Sequence, residues 1–382
     1  MLTDLPASLP ALPGYGENSL ADLGASLLAA LGLVREANPL RLRPADRVCV
    51  LVVDGLGWEL LRGHQAAAPF LSELAVSGRP LTAGFPAMTA TSLTSLGTGT
   101  PPGQHGVLGY QVAVPGEGRL LNTLRWDSRV DPVSWQPGPT IFERAAAAGI
   151  AGFHVAHPAV LRTGLSAAAL RGAEGVAAGT LGALAAQAAA ALRRSDRALA
   201  FVYHGQLDST GHVFGCSSDA WRYHLGQVDR LAEHLAGALP PGTALYVTAD
   251  HGMVDVPPQD RTDADAVPGL LDGVALLGGD ARSRHVYAEP GAAADVLAAW
   301  REVLGHRAWV VSRDEAIAEG WFGPVDPRVV PRIGDVVAAS TGTSAIVATQ
   351  AEPLESALIG MHGSLTLAEQ AVPLLTLLPG RR

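Results

Sequence analysis

The run Arg47-Val48-Cys49-Val50-Leu51-Val52-Val53 is apolar at every position after the first. A strand with one wet face alternates polar and apolar residues. A strand that is apolar throughout needs cover on both faces, the condition of a central strand in a parallel sheet. Two further runs behave the same way, Ala198–Tyr203 and Ala244–Ala249. Segments with helical spacing lie around them, at 20–36, 58–77, 140–149, 173–195 and 218–238, and residues 151–156 read as another strand. The alternation predicts an α/β fold with a mostly parallel central sheet and helices on both faces.

Each of the three apolar runs ends in groups that can do chemistry. Asp54-Gly55 follows the first, His204 to His212 with Asp208 follows the second, and Asp250-His251 follows the third. Open α/β sheets hold their sites at the carboxyl ends of their strands. An Asp-Gly pair after a strand is by itself an ordinary turn. Three such ends on one sheet edge read as a site.

A fourth stretch, Phe85–Gly99, starts at Gly84-Phe85-Pro86 and runs into small and hydroxylic residues, with Leu93 and Leu96 on one helical face. This places Thr89 in a loop at or just before a helix N-terminus, where free N–H groups and the helix dipole favour an anion. Alone, Thr89 or Thr91 reads as an N-cap. Beside acidic and imidazole groups, Thr89 becomes a candidate nucleophile.

Asp54, Asp208, His212, Asp250, His251 and His362 are all of metal-ligand type. Carboxylate and imidazole without thiolate suits Zn²⁺, with Mn²⁺ or Fe as alternatives. Six ligands are too many for one tetrahedral ion and suit two, which can clamp the entering and leaving oxygens of a displacement at phosphorus. His105, in a turn, and His204, which begins the Asp208 loop, weigh less. His64, His154, His157, His224, His234, His285 and His306 fit no such pattern and read as surface or hydrogen-bonded structural residues.

Composition removes several alternatives. All 27 basic residues are Arg, so Lys-dependent mechanisms such as a P-loop or a Schiff base are excluded. The net charge of −9, with no basic run, argues against a nucleic-acid-binding face. Cys49 and Cys216 form no zinc or disulfide framework. No stretch reads as a signal peptide or a membrane span, and the expectation is a cytoplasmic protein.

Five motifs occur in order: Val53-Asp54-Gly55-Leu56, Met88-Thr89-Ala90-Thr91-Ser92, Asp208-Ser209-Thr210-Gly211-His212, Thr248-Ala249-Asp250-His251-Gly252-Met253 and Met361-His362-Gly363-Ser364. Together they resemble the alkaline phosphatase superfamily, specifically its nucleotide pyrophosphatase/phosphodiesterase branch, over roughly residues 45–370. The resemblance implies an alkaline phosphatase-like fold and two zinc ions. Asp208, His212 and His362 would hold one, and Asp54, Asp250 and His251 the other, with Thr89 Oγ beside it. Thr89 would attack phosphorus and form a phosphothreonine intermediate that is then hydrolysed. The Gln104-His105-Gly106 turn matches the family as a structural element.

The nucleotide-hydrolysing relatives carry an Asn shortly after that turn, on a phosphoryl oxygen; here Tyr110 stands there. Tyr110 or Asn122 would donate instead, or Tyr110 only packs. The implied activity is that of a metal-dependent phosphodiesterase/nucleotide pyrophosphatase on a small phosphate ester such as a nucleotide. The alternatives are a phosphomonoesterase or phosphonate hydrolase with the same two-metal site, and a non-catalytic binding module. A sulfatase is set aside because the Thr89 stretch lacks a Cys/Ser-x-Pro-x-Arg motif.

The rest of the chain reads as one catalytic domain over 1–382 with a small α/β insertion at 256–335. Residues 1–20 are an irregular arm and 107–137 a loop or short hairpin near the site. Residues 256–282 are loop, 344–348 a strand returning to the core, and a short helix closes the chain.

Overall fold

A computed structural model describes residues 9–379. Its centre is a seven-stranded sheet in the order Arg79–Thr82, Ala371–Leu377, Thr243–Thr248, Arg47–Val53, Ala198–His204, Ala151–Ala156, Glu174–Ala177. The pairs from Thr243–Thr248 across to Glu174–Ala177 are parallel. Val48 to Val53 are buried on both faces, as an all-apolar central strand requires. Helix Asp219–Ala238 buries Trp221, Leu225, Val228, Leu231 and Leu235, the predicted stripe, and Ser218 caps it by accepting from Trp221 N–H. Helix Ile141–Ala147 begins with a Thr140/Glu143 capping box.

Several local expectations are corrected. The tract 173–195 is not one helix: Glu174–Ala177 is the edge strand and Thr180 caps helix Leu181–Leu192. The stretch 58–77 breaks into Trp58–Gly63, a 3-10 turn and Pro69–Ala75, with Pro69 opening the last piece. Strand Ala345–Val347 does not return to the central sheet but pairs with Arg261–Asp263. The short helix Leu367–Gln370 does not close the described chain, because Ala371–Leu377 follows and runs antiparallel beside Thr243–Thr248. The first eight residues of the expected arm lie outside the described residues.

Residues 274–340 build a separate four-stranded antiparallel sheet, ordered Val274–Gly279, Ser283–Ala288, Val336–Ser340, Ala308–Ser312. Helix Ala293–Leu304 covers it with Val296, Trp300 and Leu304 in an apolar cluster of its own. Among the described residues, no helix is long and apolar enough to cross a membrane.

A fully buried ion pair joins this smaller sheet to the main body. Arg282 Nη2 lies 2.5 Å from Glu369 Oε2 and Nε lies 3.0 Å from Oε1, with both side chains out of solvent. The Glu369 carbonyl in turn accepts from Gly252 N–H, next to His251. Arg282→Met leaves that buried carboxylate without its cation, held only by Ser364 N–H and the Thr366 hydroxyl, and is expected to cost about 3–5 kcal/mol of stability in urea unfolding. A cost below about 1 kcal/mol would contradict the burial seen here.

Candidate metal and catalytic centre

The carboxyl edge of the central sheet gathers the expected residues. Asp54 follows strand Arg47–Val53, Asp250 and His251 follow Thr243–Thr248, and Asp208 and His212 lie on helix Gln206–Phe214 after Ala198–His204. Gly55 lets the turn after Asp54 pass close to Asp208. It has φ +76°, and a Cβ there would stand 3.1 Å from the Cα and Cβ of Asp208. Gly252 is equally constrained, since a Cβ would meet the Ala368 carbonyl oxygen at 2.0 Å.

Asp54, Asp250 and His251 each offer a ligand atom, and these atoms lie within 4.8 Å of one another. Asp208, His251 and His362 form a second such group. His212 Nε2 adjoins it, 3.2 Å from Asp208 Oδ2. His251 thus stands between the two groups, its ring stacked on His362 at 3.5 Å between centroids.

The imidazoles are oriented as metal ligands are. His212 Nδ1 bonds the Gly360 carbonyl at 2.7 Å, His362 Nδ1 the Ala87 carbonyl at 3.0 Å, and His251 Nδ1 the Gly252 carbonyl at 3.1 Å. A carbonyl can only accept, so each Nδ1 carries a proton, which leaves Nε2 as the atom a metal would take. Nε2 of His251 is 3.2 Å from Asp54 Oδ1 and 3.6 Å from Asp250 Oδ2. Asp54 Oδ1, Asp208 Oδ1 and Asp250 Oδ2 are buried without a hydrogen-bond partner. Buried acceptors left open in this way are costly unless a cation satisfies them. The residues present therefore fit a pair of divalent ions.

The electrostatics of the bare cluster carry the same signature. Burial pushes the Asp54 carboxyl up to about 8, with the Asp208 charge adding to it. Burial, then the Asp54 charge, raise Asp250 well above the carboxylate range. Burial also opposes ionisation of Asp208, but His212 and His362 outweigh it and hold that carboxyl low. For His212 burial is overcome by Asp208, which lifts the imidazole to about 9.

Thr89 is the first residue of helix Thr89–Thr98, not a loop residue before it, and Met88 is the N-cap. Thr89 is 8% exposed and its Oγ1 lies 3.3 Å from His251 Nε2. His105 is buried behind this helix. It accepts from Val107 N–H at Nδ1 and bonds Ser95 Oγ at 3.0 Å through Nε2, a structural part as expected.

Two cavities open on this centre. One of about 450 Å³ and one of about 310 Å³ share Thr89, Leu124 and Asp208 in their walls. Tyr110 lines the smaller one and its hydroxyl donates to Glu355 Oε1 at 3.1 Å. Asn122 lines neither. Its Oδ1 accepts from Leu124 and Arg125 N–H, shaping the turn after hairpin strand Arg119–Asn122.

Two residues at the site went unrecognised in the sequence. Tyr203 donates its hydroxyl to Asp54 Oδ2, which leaves Oδ1 to face His251. Val52, Asp54 and Tyr203 share one face of the sheet by strand alternation, and that parity was the available signal. His154, read as a surface or hydrogen-bonded structural histidine, lines the larger cavity, as does His157.

The model of the type I phosphodiesterase / nucleotide pyrophosphatase family matches residues 48–365. Among solved structures, murine ectonucleotide pyrophosphatase/phosphodiesterase 5, in an inactive form in complex with AMP, superposes with a TM-score of 0.68 at 18% identity, over 88% of each chain. Phosphonoacetate hydrolase from Sinorhizobium meliloti 1021, in complex with phosphonoformate, gives 0.66 at 21% identity, covering 87% of this chain and 90% of that one. At these identities the likeness shows the alkaline phosphatase-like fold. A phosphopentomutase of Anaeromyxobacter dehalogenans is 34% identical over 109 residues, 28% of this chain. The match spans about a quarter, 27%, of that relative's length.

Proposed function

The chain belongs to the type I phosphodiesterase/nucleotide pyrophosphatase family, and from that premise we propose that it is a metal-dependent phosphodiesterase or nucleotide pyrophosphatase working through a phosphothreonine intermediate on Thr89. Asp54, Asp250 and His251 would hold one divalent ion and Asp208, His212 and His362 the other. Three carboxylates and three imidazoles without thiolate suit Zn²⁺. When bound, the ions supply positive charge that lowers the pKa of a hydroxyl and offsets charge on phosphoryl oxygens.

The protein's own groups do the rest. Thr89 Oγ1 attacks phosphorus, the bond to the leaving oxygen breaks, and water later displaces Thr89 to release a phosphate monoester. The Thr89 helix is ten residues long; the Thr91 N–H is taken by Met88 Sδ, and the Thr89 and Ala90 N–H groups at its start would face the phosphoryl group as donors. Tyr203 orients Asp54. Tyr110 borders the seat of the second ester group, and Asn122 fixes the turn that carries Leu124 between the two cavities. Residues 1–382 act as one catalytic domain, and the insertion expected at 256–335 corresponds to the smaller sheet, whose inner strand Val336–Ser340 carries it past that bound. A cytoplasmic setting is part of this reading, supported by two unpaired, buried thiols, Cys49 and Cys216.

The observation that carries the diesterase reading is the two-lobed cavity meeting at Thr89. A phosphodiester needs room for two substituents; a monoester dianion needs extra cationic partners. No Arg lines either lobe. Arg284 and Arg332 are buried and bonded elsewhere, to Ile346 and Glu352 and to the Gly106 and Trp135 carbonyls. Arg125 is exposed on the turn. On zinc-loaded enzyme, kcat/KM for a 4-nitrophenyl diester is expected to exceed that for 4-nitrophenyl phosphate by about 10- to 100-fold, the worth of a missing charge-assisted contact. Preference for the monoester would overturn the reading in favour of a phosphomonoesterase or phosphonate hydrolase.

A further inference from the structure

The floor of the larger cavity is a row of side chains on one face of the central sheet. Val52 and Asp54 come from strand Arg47–Val53 and its end, Phe201 and Tyr203 from Ala198–His204, and His154 from Ala151–Ala156. The register pairs Val50 with Phe201 and Phe201 with His154, so His154 lies two strands across and four residues back from Asp54. At ~4.8 Å between strands and ~3.3 Å per residue, the two Cα atoms stand roughly 16 Å apart. A methyl ester at phosphorus cannot bridge that gap; a nucleoside-sized group can.

The walls along this span are mostly apolar: Leu93, Leu165, Ala169, Leu170 and Leu184. His154 is different. It is 5% exposed, its ring makes no hydrogen bond to another described residue, and it lines both this cavity and a smaller one of about 220 Å³ beside it. Its neighbours Thr163 and Ser166 both donate to the Val160 carbonyl. Burial without a partner pushes the imidazole down to about 4, so it is neutral at pH 7 and offers one donor and one acceptor. Buried polar groups in proteins are almost always paired. One that faces a cavity beside a reaction centre is paired by what fills the cavity.

We propose that His154 is a specificity-determining residue: its imidazole hydrogen-bonds a neutral polar ring, a nucleobase or comparable heterocycle, carried by the substrate's ester substituent. This deepens the phosphodiesterase reading and rests on it. A hydrocarbon chain would leave the imidazole unpaired, and a site built for a hydrogen bond discriminates against a group that lacks one.

The experiment compares two 4-nitrophenyl diesters, one of thymidine 5′-monophosphate and one of hexyl phosphate, on zinc-loaded wild type, His154→Leu and His154→Gln. His154→Leu is expected to lower the nucleoside-to-hexyl ratio of kcat/KM by about 10- to 100-fold, mainly through KM. His154→Gln, which keeps a donor and an acceptor, is expected to restore most of it. An unchanged ratio in His154→Leu, or an equal fall in both variants, overturns the proposal. Should the variants fail to fold, the wild type still decides: AMP is expected to shift the His154 ring resonances and methyl phosphate is not, and no shift with AMP overturns it. Failure of wild type to cleave either diester would instead count against the phosphodiesterase reading, which the AMP titration does not depend on.

Discussion

Thr89→Ala is expected to lower turnover of a phosphodiester by about 10⁴-fold or more, the scale on which removal of a covalent nucleophile acts. Bound zinc should stay at the wild-type level, because Thr89 contributes a hydroxyl beside the ligands while the carboxylates and imidazoles remain. The side chain is nearly buried at the first position of its helix, and Met88, not Thr89, is the cap. The substitution therefore removes a nucleophile without uncapping the helix, and Ala is a good helix former. Rapid quenching with a diester labelled at phosphorus should trap label on wild-type protein and none on the variant. Thr89→Ser, which keeps the oxygen, should retain labelling. Normal turnover by Thr89→Ala would sink the mechanism, and turnover lost together with zinc would show that Thr89 acts through the metal site instead.

The parts of this site legible in the sequence are those where one strand's end is enough. An all-apolar run cannot be an edge strand, and a carboxylate directly after it must emerge at the sheet's carboxyl edge; Asp54 and Asp250 follow from that alone. Strand Ala371–Leu377 was missed because Pro373 argues against a central strand. It is tolerated where Pro373 faces Pro80 of Arg79–Thr82, a pairing that no local pattern announces. The Ala-rich tract 173–195 reads as helix throughout, but Glu174–Ala177 is held as strand by pairing with Phe153–Ala156. Propensity yields to a neighbour in such cases. Strand parity hints at Tyr203, but parity alone does not assign the roles of Tyr203 and His154. Their roles depend on which face of the sheet they share with Asp54 and on the register across three strands, both tertiary facts. A histidine on a buried strand looks the same in sequence whether or not it finds a partner.

Chelation is expected to remove activity by at least about 10³-fold, with recovery on adding Zn²⁺, and to leave a protein whose stability falls as pH rises from 7 to 8. The second effect follows from the cluster itself. Asp54 is raised to about 8, and burial and the Asp54 charge move Asp250 in the same direction, so in the metal-free folded state Asp54 holds at pH 7 a proton that the unfolded chain has released. His212, raised to about 9, keeps its proton where an unfolded imidazole has lost it. In this window the folded state binds more protons than the unfolded one, and stability must decline with pH. Asp208 and His362 are shifted down, so their contributions are complete below pH 7 and do not oppose the trend. Each fully titrating group contributes up to about 1.4 kcal/mol per pH unit. Because the groups are coupled, a loss on the order of 2 kcal/mol between pH 7 and 8 is expected. Metal ligands bind deprotonated, so zinc reverses the dependence, and the gap between loaded and stripped protein should widen with pH. Urea unfolding of both forms at pH 7 and 8 measures it. A stripped protein equally stable at the two pH values would mean that the carboxylates are not held together as the structure holds them. Full activity after chelation would show that turnover does not use the metals at all.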